Sequence, residues 1–182
     1  MREISLHILD IVQNSIAAGA TRIEVAADAD SRNNLLSISV TDNGRGMSPE
    51  TIERAMSPFW TTRTTRNVGL GIPMLVAAAE ACGGGLWISS EVGKGAKTEA
   101  RFKLSHIDRA PFGDIGATIV DLIVTNPEIS FRYEQKVDNE PFHLDTDDIR
   151  RELGEAPIEA PPVRRWMKDY IAEGIARIGA IP

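Results

Sequence analysis

With one cysteine, three histidines and 5% aromatic residues among 182 positions, the chain is poor in the groups that staple, ligate or stack. Cys82 has no partner for an internal disulfide and belongs to no cysteine cluster, so it is expected as a small core residue in a reducing cytoplasm. No stretch approaches the roughly 20 apolar residues that a membrane helix requires. The start, Met1-Arg2-Glu3-Ile4-Ser5, carries an acid and no long apolar run behind it, so a secretory signal is not expected. Positive charge is also short: the net charge is −6, with residues 1–104 balanced at 11 basic against 11 acidic and residues 105–182 at 9 against 15. Such a balance offers no basic face for nucleic acid and separates two regions of different character. What remains is an ordinary globular composition, 42% hydrophobic and 25% charged, long enough for one domain of about 100 residues plus an appendage.

Leu36-Ser37-Ile38-Ser39-Val40 alternates apolar and polar, as a strand with one buried face does, and Asp42 follows where it runs out. A carboxylate at the mouth of a core is costly to bury unless it accepts hydrogen bonds. An amino group on a flat heterocycle such as adenine is a suitable donor. Gly44 and Gly46 let the backbone approach such a ring, and Met47 follows directly. Asn43-Gly44 alone reads as a hairpin turn. However, Ser48-Pro49 is a helix start, with Ser48 as N-cap and Pro49 at the first helical position, so no second strand follows.

Ile4 to Ala18 spaces its apolar residues as a helix with one broad buried face, stopped by Gly19. Asp10 and Asn14, four apart, point the same way, either as the wet side of an amphipathic helix or as ligands. The Asn14 carboxamide oxygen suits a hard cation such as Mg²⁺. Thr21 to Ala27 reads as a strand and Asp28 to Asn34 as a polar turn. Ser57 to Asn67, rich in hydroxyls and including Arg63 and Arg66, has no periodicity and reads as a loop. It leads to Val68-Gly69-Leu70-Gly71 and an alanine-rich helix beginning near Gly71. A glycine-flanked helix start offers free N–H groups and a positive dipole end to phosphate. Leu86 to Glu91 and Lys97 to Leu104 read as a hairpin, with Thr98 on its second strand.

In this order the segments resemble the GHKL superfamily of DNA gyrase B subunits, MutL-type repair proteins, large heat-shock chaperones and histidine kinases. Asn14, within Ile11 to Ala20, resembles the N box, and Asp42-Asn43-Gly44-Arg45-Gly46 the first glycine box. Pro58 to Thr62 followed by Gly69-Leu70-Gly71 is similar to the lid and second glycine box of histidine kinases, and Gly95 to Phe102 with Thr98 to the closing strand pair. The resemblance covers about 100 residues as an ordered set. It implies an α+β fold over residues 1–104, a two-layer α/β sandwich of the Bergerat ATP-binding type, with a C-terminal α/β extension over 105–182. It further implies ATP as ligand, Mg²⁺ on Asn14, and adenine read by Asp42. Ala18, Gly44, Gly46, Met47, Arg66, Gly69, Leu70, Gly71 and Thr98 are implied to line the nucleotide, and Asp10 to serve as general base. Relatives carry Glu where Asp10 stands, one methylene longer. His7, His106 and His143 resemble no phosphoacceptor motif, so any acceptor is expected on a partner protein. Three functions follow: a kinase-like module or switch acting on a partner, a non-catalytic ATP-binding regulator, or a MutL-like ATPase, for which a homodimer stays open.

Past Leu104 the resemblance ends. Asp114 to Thr125 has helical spacing, and Ile129 to Tyr133 and Pro141 to Leu144 flank Asp138-Asn139 as a hairpin. Thr146 is expected to cap a helix to Leu153. Ala156 to Pro162 reads as a linker to a last helix over Val163 to Ile178, whose Trp166, Met167, Tyr170 and Ile171 are core or a docking face. Kinase-type domains usually carry a strand ahead of the N-box helix. The hairpin near Phe131 and Phe142 is expected to lie against the main sheet in its place.

Overall fold

The computed structural model describes residues 3–57 and 71–181. Six strands form one mixed sheet: β1 (Arg22–Asp30), β2 (Leu35–Asp42), β3 (Gly85–Glu91), β4 (Gly95–Lys103), β5 (Ser130–Val137) and β6 (Glu140–Asp145), in the order β3-β4-β2-β1-β5-β6. Ile23, Val25, Ala27 and Ala29 on β1, and Leu36, Ile38 and Val40 on β2, are buried, while the residues between them are partly exposed or exposed. One face is therefore core and the other faces solvent. The open face carries ladders of alternating charge, such as Lys97 and Arg101 at 3.0 and 2.6 Å from Glu99.

Helices α1 (Ile4–Ala17), α3 (Gly71–Ala81), α4 (Ile115–Thr125) and α6 (Pro161–Ile178) pack on the buried face or on one another, giving two layers. Helix α1 buries Ile4, Ile8, Ile11 and Val12, and Gly19 ends it with φ +76°. His7 is buried on α1 with Nδ1 unpartnered among the described residues. Burial lowers its pKa to about 4, which holds the imidazole neutral. The short α2 (Pro49–Met56) is capped by the Ser48 hydroxyl, which accepts from Thr51 N–H.

The hairpin beyond Leu104 joins the main sheet as expected. β5 runs parallel to β1, Ile23 opposite Phe131 and Val25 opposite Tyr133, and β6 closes that edge through a turn with Asp138 and Asn139 at φ 50° and 77°. Against the sequence reading, β1 runs on through Asp28, Ala29 and Asp30, paired with Ser37, Leu36 and Leu35 where a turn is expected, and two details of the second half differ as well. The N-cap of α5 (Thr146–Leu153) is Asp145, which accepts from Asp147 N–H at 2.9 Å. Thr146 is wholly buried, and its hydroxyl accepts from Phe131 N–H at 2.8 Å, tying helix to sheet. Pro161 and Pro162 are not linker but the first turn of α6, where a missing N–H is no loss. On α6, Met167 and Ile171 are core while Trp166 and Tyr170 remain exposed. Cys82 is buried as expected.

Because β5 covers one edge of β1 and Phe131, Tyr133 and Met167 are all wholly buried, residues 105–182 are integral to the core. We expect a chain cut after Leu104 to show no cooperative unfolding and collapsed amide dispersion by NMR. A cooperative, well-dispersed fragment would contradict this.

Candidate functional site

Asp42 is the last residue of β2 and lies on its buried face, two residues past Val40. Its carboxylate is held twice. The Ser15 hydroxyl on α1 donates to Oδ2 at 2.6 Å, and the Gly44 N–H donates to Oδ1 at 2.9 Å. An ionised carboxylate offers about four lone-pair sites, so half of its accepting capacity is left for a ligand. Ser15 is buried on the apolar stripe of α1.

The glycine-rich loop after Asp42 crosses the C-terminal end of α1. Arg45 N–H donates to the Ala18 carbonyl at 3.0 Å, and a Cβ at Gly44 would lie 3.0 Å from the Ala18 Cβ and 3.1 Å from Asp42 Oδ1. Asn43 staples the loop to the start of β1, accepting from the Thr21 and Arg22 N–H groups, each at 2.9 Å. The β3–β4 turn clamps the other side. Ser90 Oγ accepts from Met47 N–H at 2.8 Å and donates to the Gly95 carbonyl at 2.6 Å, and Gly93 N–H donates to the Arg45 carbonyl at 2.8 Å. Two glycines are fixed by this clamp. Gly46, at φ +66°, would place a Cβ 2.0 Å from the Glu91 carbonyl oxygen, and Gly95, at φ +96°, one 1.9 Å from that of Asp42.

Thr98 is buried on β4 opposite Val40, hence diagonal to Asp42 on the same face. Asp10 is half-buried and Asn14 exposed on α1. Gly71, the first described residue of α3, sits so close to Asp10 that a Cβ there would lie 2.8 Å from the Asp10 Cβ and 2.9 Å from its Oδ2. The structure thus gathers Asp10, Asn14, Ala18, Asp42, Gly44, Gly46, Met47, Gly71 and Thr98 around α1, the end of β2 and the start of α3. The loop expected from Ser57 to Asn67, Arg66 with it, falls almost wholly outside the described residues, as do Gly69 and Leu70. Sequence reasoning missed Ser15 and Ser90. For Ser15 a signal existed, because it falls four residues after Ile11 on a stripe that is otherwise apolar.

Residues 2–106 match the family of histidine kinase-, DNA gyrase B-, and HSP90-like ATPases. The chain belongs to that family. A putative sensor protein of Shewanella frigidimarina is 31% identical over 103 residues, covering 56% of this chain and 16% of that protein. The sensor protein kinase FleS of Pseudomonas aeruginosa is 40% identical over 58 residues, 32% of this chain and 14% of FleS. The chain spans less than a fifth of the length of these curated relatives. Among solved structures, the N-terminal domain of a DNA repair protein superposes with a TM-score of 0.59 at 16% identity, covering 80% of this chain and 53% of that one. That likeness shows the fold, and it extends well beyond the 105 residues of the family match. No helix among the described residues is long and apolar enough to cross a membrane.

In this ATPase-family domain the Ser15 hydroxyl is, among the described residues, the one side-chain donor to Asp42. We expect Ser15→Ala to lower stability by about 1–3 kcal/mol in urea titration, because it leaves a half-buried carboxylate oxygen without its donor. A stability equal to that of the parent chain would contradict the assignment.

Proposed function

We propose that the chain binds ATP with Mg²⁺ and acts on a partner protein, as a phosphotransferase or a nucleotide-dependent switch. The observation that carries this reading is Asp42, fixed by Ser15 and Gly44 at the end of β2 with accepting capacity to spare. A purine amino group is a suitable donor to such a carboxylate, and Gly44, packed against Ala18 with little space for a Cβ, keeps its N–H on Asp42. Thr98, buried on the same face, is the second polar group for the base.

Asn14, one residue before Ser15 and exposed, turns its carboxamide to solvent and suits a hard cation that keeps most of its waters. A bound Mg²⁺ would screen the phosphate charge. Asp10 stands one turn earlier against the start of α3. There it accepts a proton from an attacking hydroxyl or water, and the tight packing of Gly71 on its Cβ fixes the carboxylate's position. Helix α3 turns its N-terminal N–H groups and positive dipole end towards phosphate. Gly69, Leu70 and Arg66 are proposed to complete the phosphate seat. The acceptor is proposed to lie on another protein, because His106 and His143 stand apart from the site elements and His7 is buried.

Incubation with γ-labelled ATP and Mg²⁺, alone and with cell extract, separates the outcomes. We expect label on another polypeptide, lost by at least about tenfold in Asp10→Asn and Asn14→Ala, a change of 1.4 kcal/mol or more. Free phosphate alone would instead support a MutL-like ATPase, and nucleotide binding without either product a non-catalytic regulator.

A further inference from the structure

Between β6, α5 and α6 lies a cavity of about 460 Å³, at the edge of the sheet farthest from β3 and three strands from the Asp42 site. It is large enough for more than one bulky side chain. Its floor is apolar, made by Ile149, Leu153 and Val163. One wall is aromatic: Trp166 and Tyr170 stack at 5.2 Å with their planes 17° apart, and the buried Phe142 braces Tyr170 at 5.3 Å. Trp166 remains 49% exposed and Tyr170 39%, so two large rings already held in place are left facing water. Such a surface is preformed, and little side-chain entropy is lost when something covers it.

The lysine, arginine and carboxylate side chains in its lining are of one sign. Asp145, Asp148 and Glu152 line the cavity, and no lysine or arginine does. Arg22 and Arg151 partly compensate Asp145 and Asp148 from outside the lining, whereas Glu152 has no ion pair among the described residues. On α6, Asp169 and Glu173 are exposed but are accompanied by Arg164, Arg165, Lys168 and Arg177, so the acid that bears on the opening is that of its own lining. Three carboxylates thus line an apolar opening with no lysine or arginine among them. An occupant must bring apolar bulk for the floor and positive charge for the rim.

We propose that this groove docks a short segment of a partner protein that carries bulky apolar side chains next to lysine or arginine. The inference does not depend on nucleotide binding, and its test contains none. The ¹⁵N-labelled chain is titrated with three synthetic peptides: one of leucine and lysine, a counterpart with glutamate for lysine, and one with serine for leucine. The Leu/Lys peptide should shift amides of β6, α5 and α6, and bind at least about tenfold more tightly than the other two. Glu152→Lys and Trp166→Ser, both at exposed positions, should each weaken it by a similar factor, while Glu53→Lys on the distant α2 should not. Equal binding of the Leu/Glu peptide, shifts centred on another face, or indifference to both groove variants would overturn the proposal. So would a dimer in sedimentation that Trp166→Ser converts to monomer, since the occupant would then be a second copy.

Discussion

The hydrogen bond from Ser15 to Asp42 joins the first helix to the end of the second strand, and the arrangement of the site rests on it. A carboxylate at the rim of an apolar core tends to turn outward, where water solvates it. Here the serine hydroxyl and the Gly44 N–H replace water on both oxygens and hold the group inward. The same loop is fixed by backbone contacts to Ala18 on one side and to the β3–β4 turn on the other. Three elements distant in sequence therefore set the position of one carboxylate.

That precision requires a sheet that does not yield, which gives the second half of the chain its structural purpose. β1 would otherwise be an open edge beside the site loop. β5 pairs with it in parallel along its length, and α5 locks β5 through the Thr146 hydroxyl on Phe131 N–H. Arg22, whose N–H is held by Asn43, also reaches Asp145 and Asp147 at 3.6 and 3.2 Å at the start of α5. These pairs are half exposed and individually weak. Their value is positional, since they bring the site loop, β1 and the rim of the apolar groove into one contiguous set of contacts.

Much of this was legible in the sequence, for physical reasons that differ by element. The alternation in Leu36 to Val40 and the spacing in Ile4 to Ile16 report burial directly, so the strand under Asp42 and the helix over it were plain. The ordered glycine motifs gave the family and the two-layer fold. Asp138-Asn139 gave the second hairpin, because both residues tolerate positive φ. The cap of α5 lies one residue before the expected one: Asp145 and Thr146 are both good caps, and only the sheet decides that the Thr146 hydroxyl is needed on Phe131 N–H. The prolines before α6 read as linker because proline starts helices as readily as it ends them. Ser15 and Ser90 went unread because a serine's role depends on what lies across from it.

We propose that Asp42 reads the exocyclic amino group of a purine. Calorimetric titration with ATP and with inosine triphosphate, which lacks that amino group, tests it most directly in the presence of Mg²⁺. ATP should bind at least about tenfold more tightly than inosine triphosphate, and Asp42→Asn should erase the difference by weakening ATP alone, in keeping with a charged hydrogen bond of about 1.5–3 kcal/mol. Equal affinities for the two nucleotides in the parent chain, or an ATP preference that survives Asp42→Asn, would contradict it.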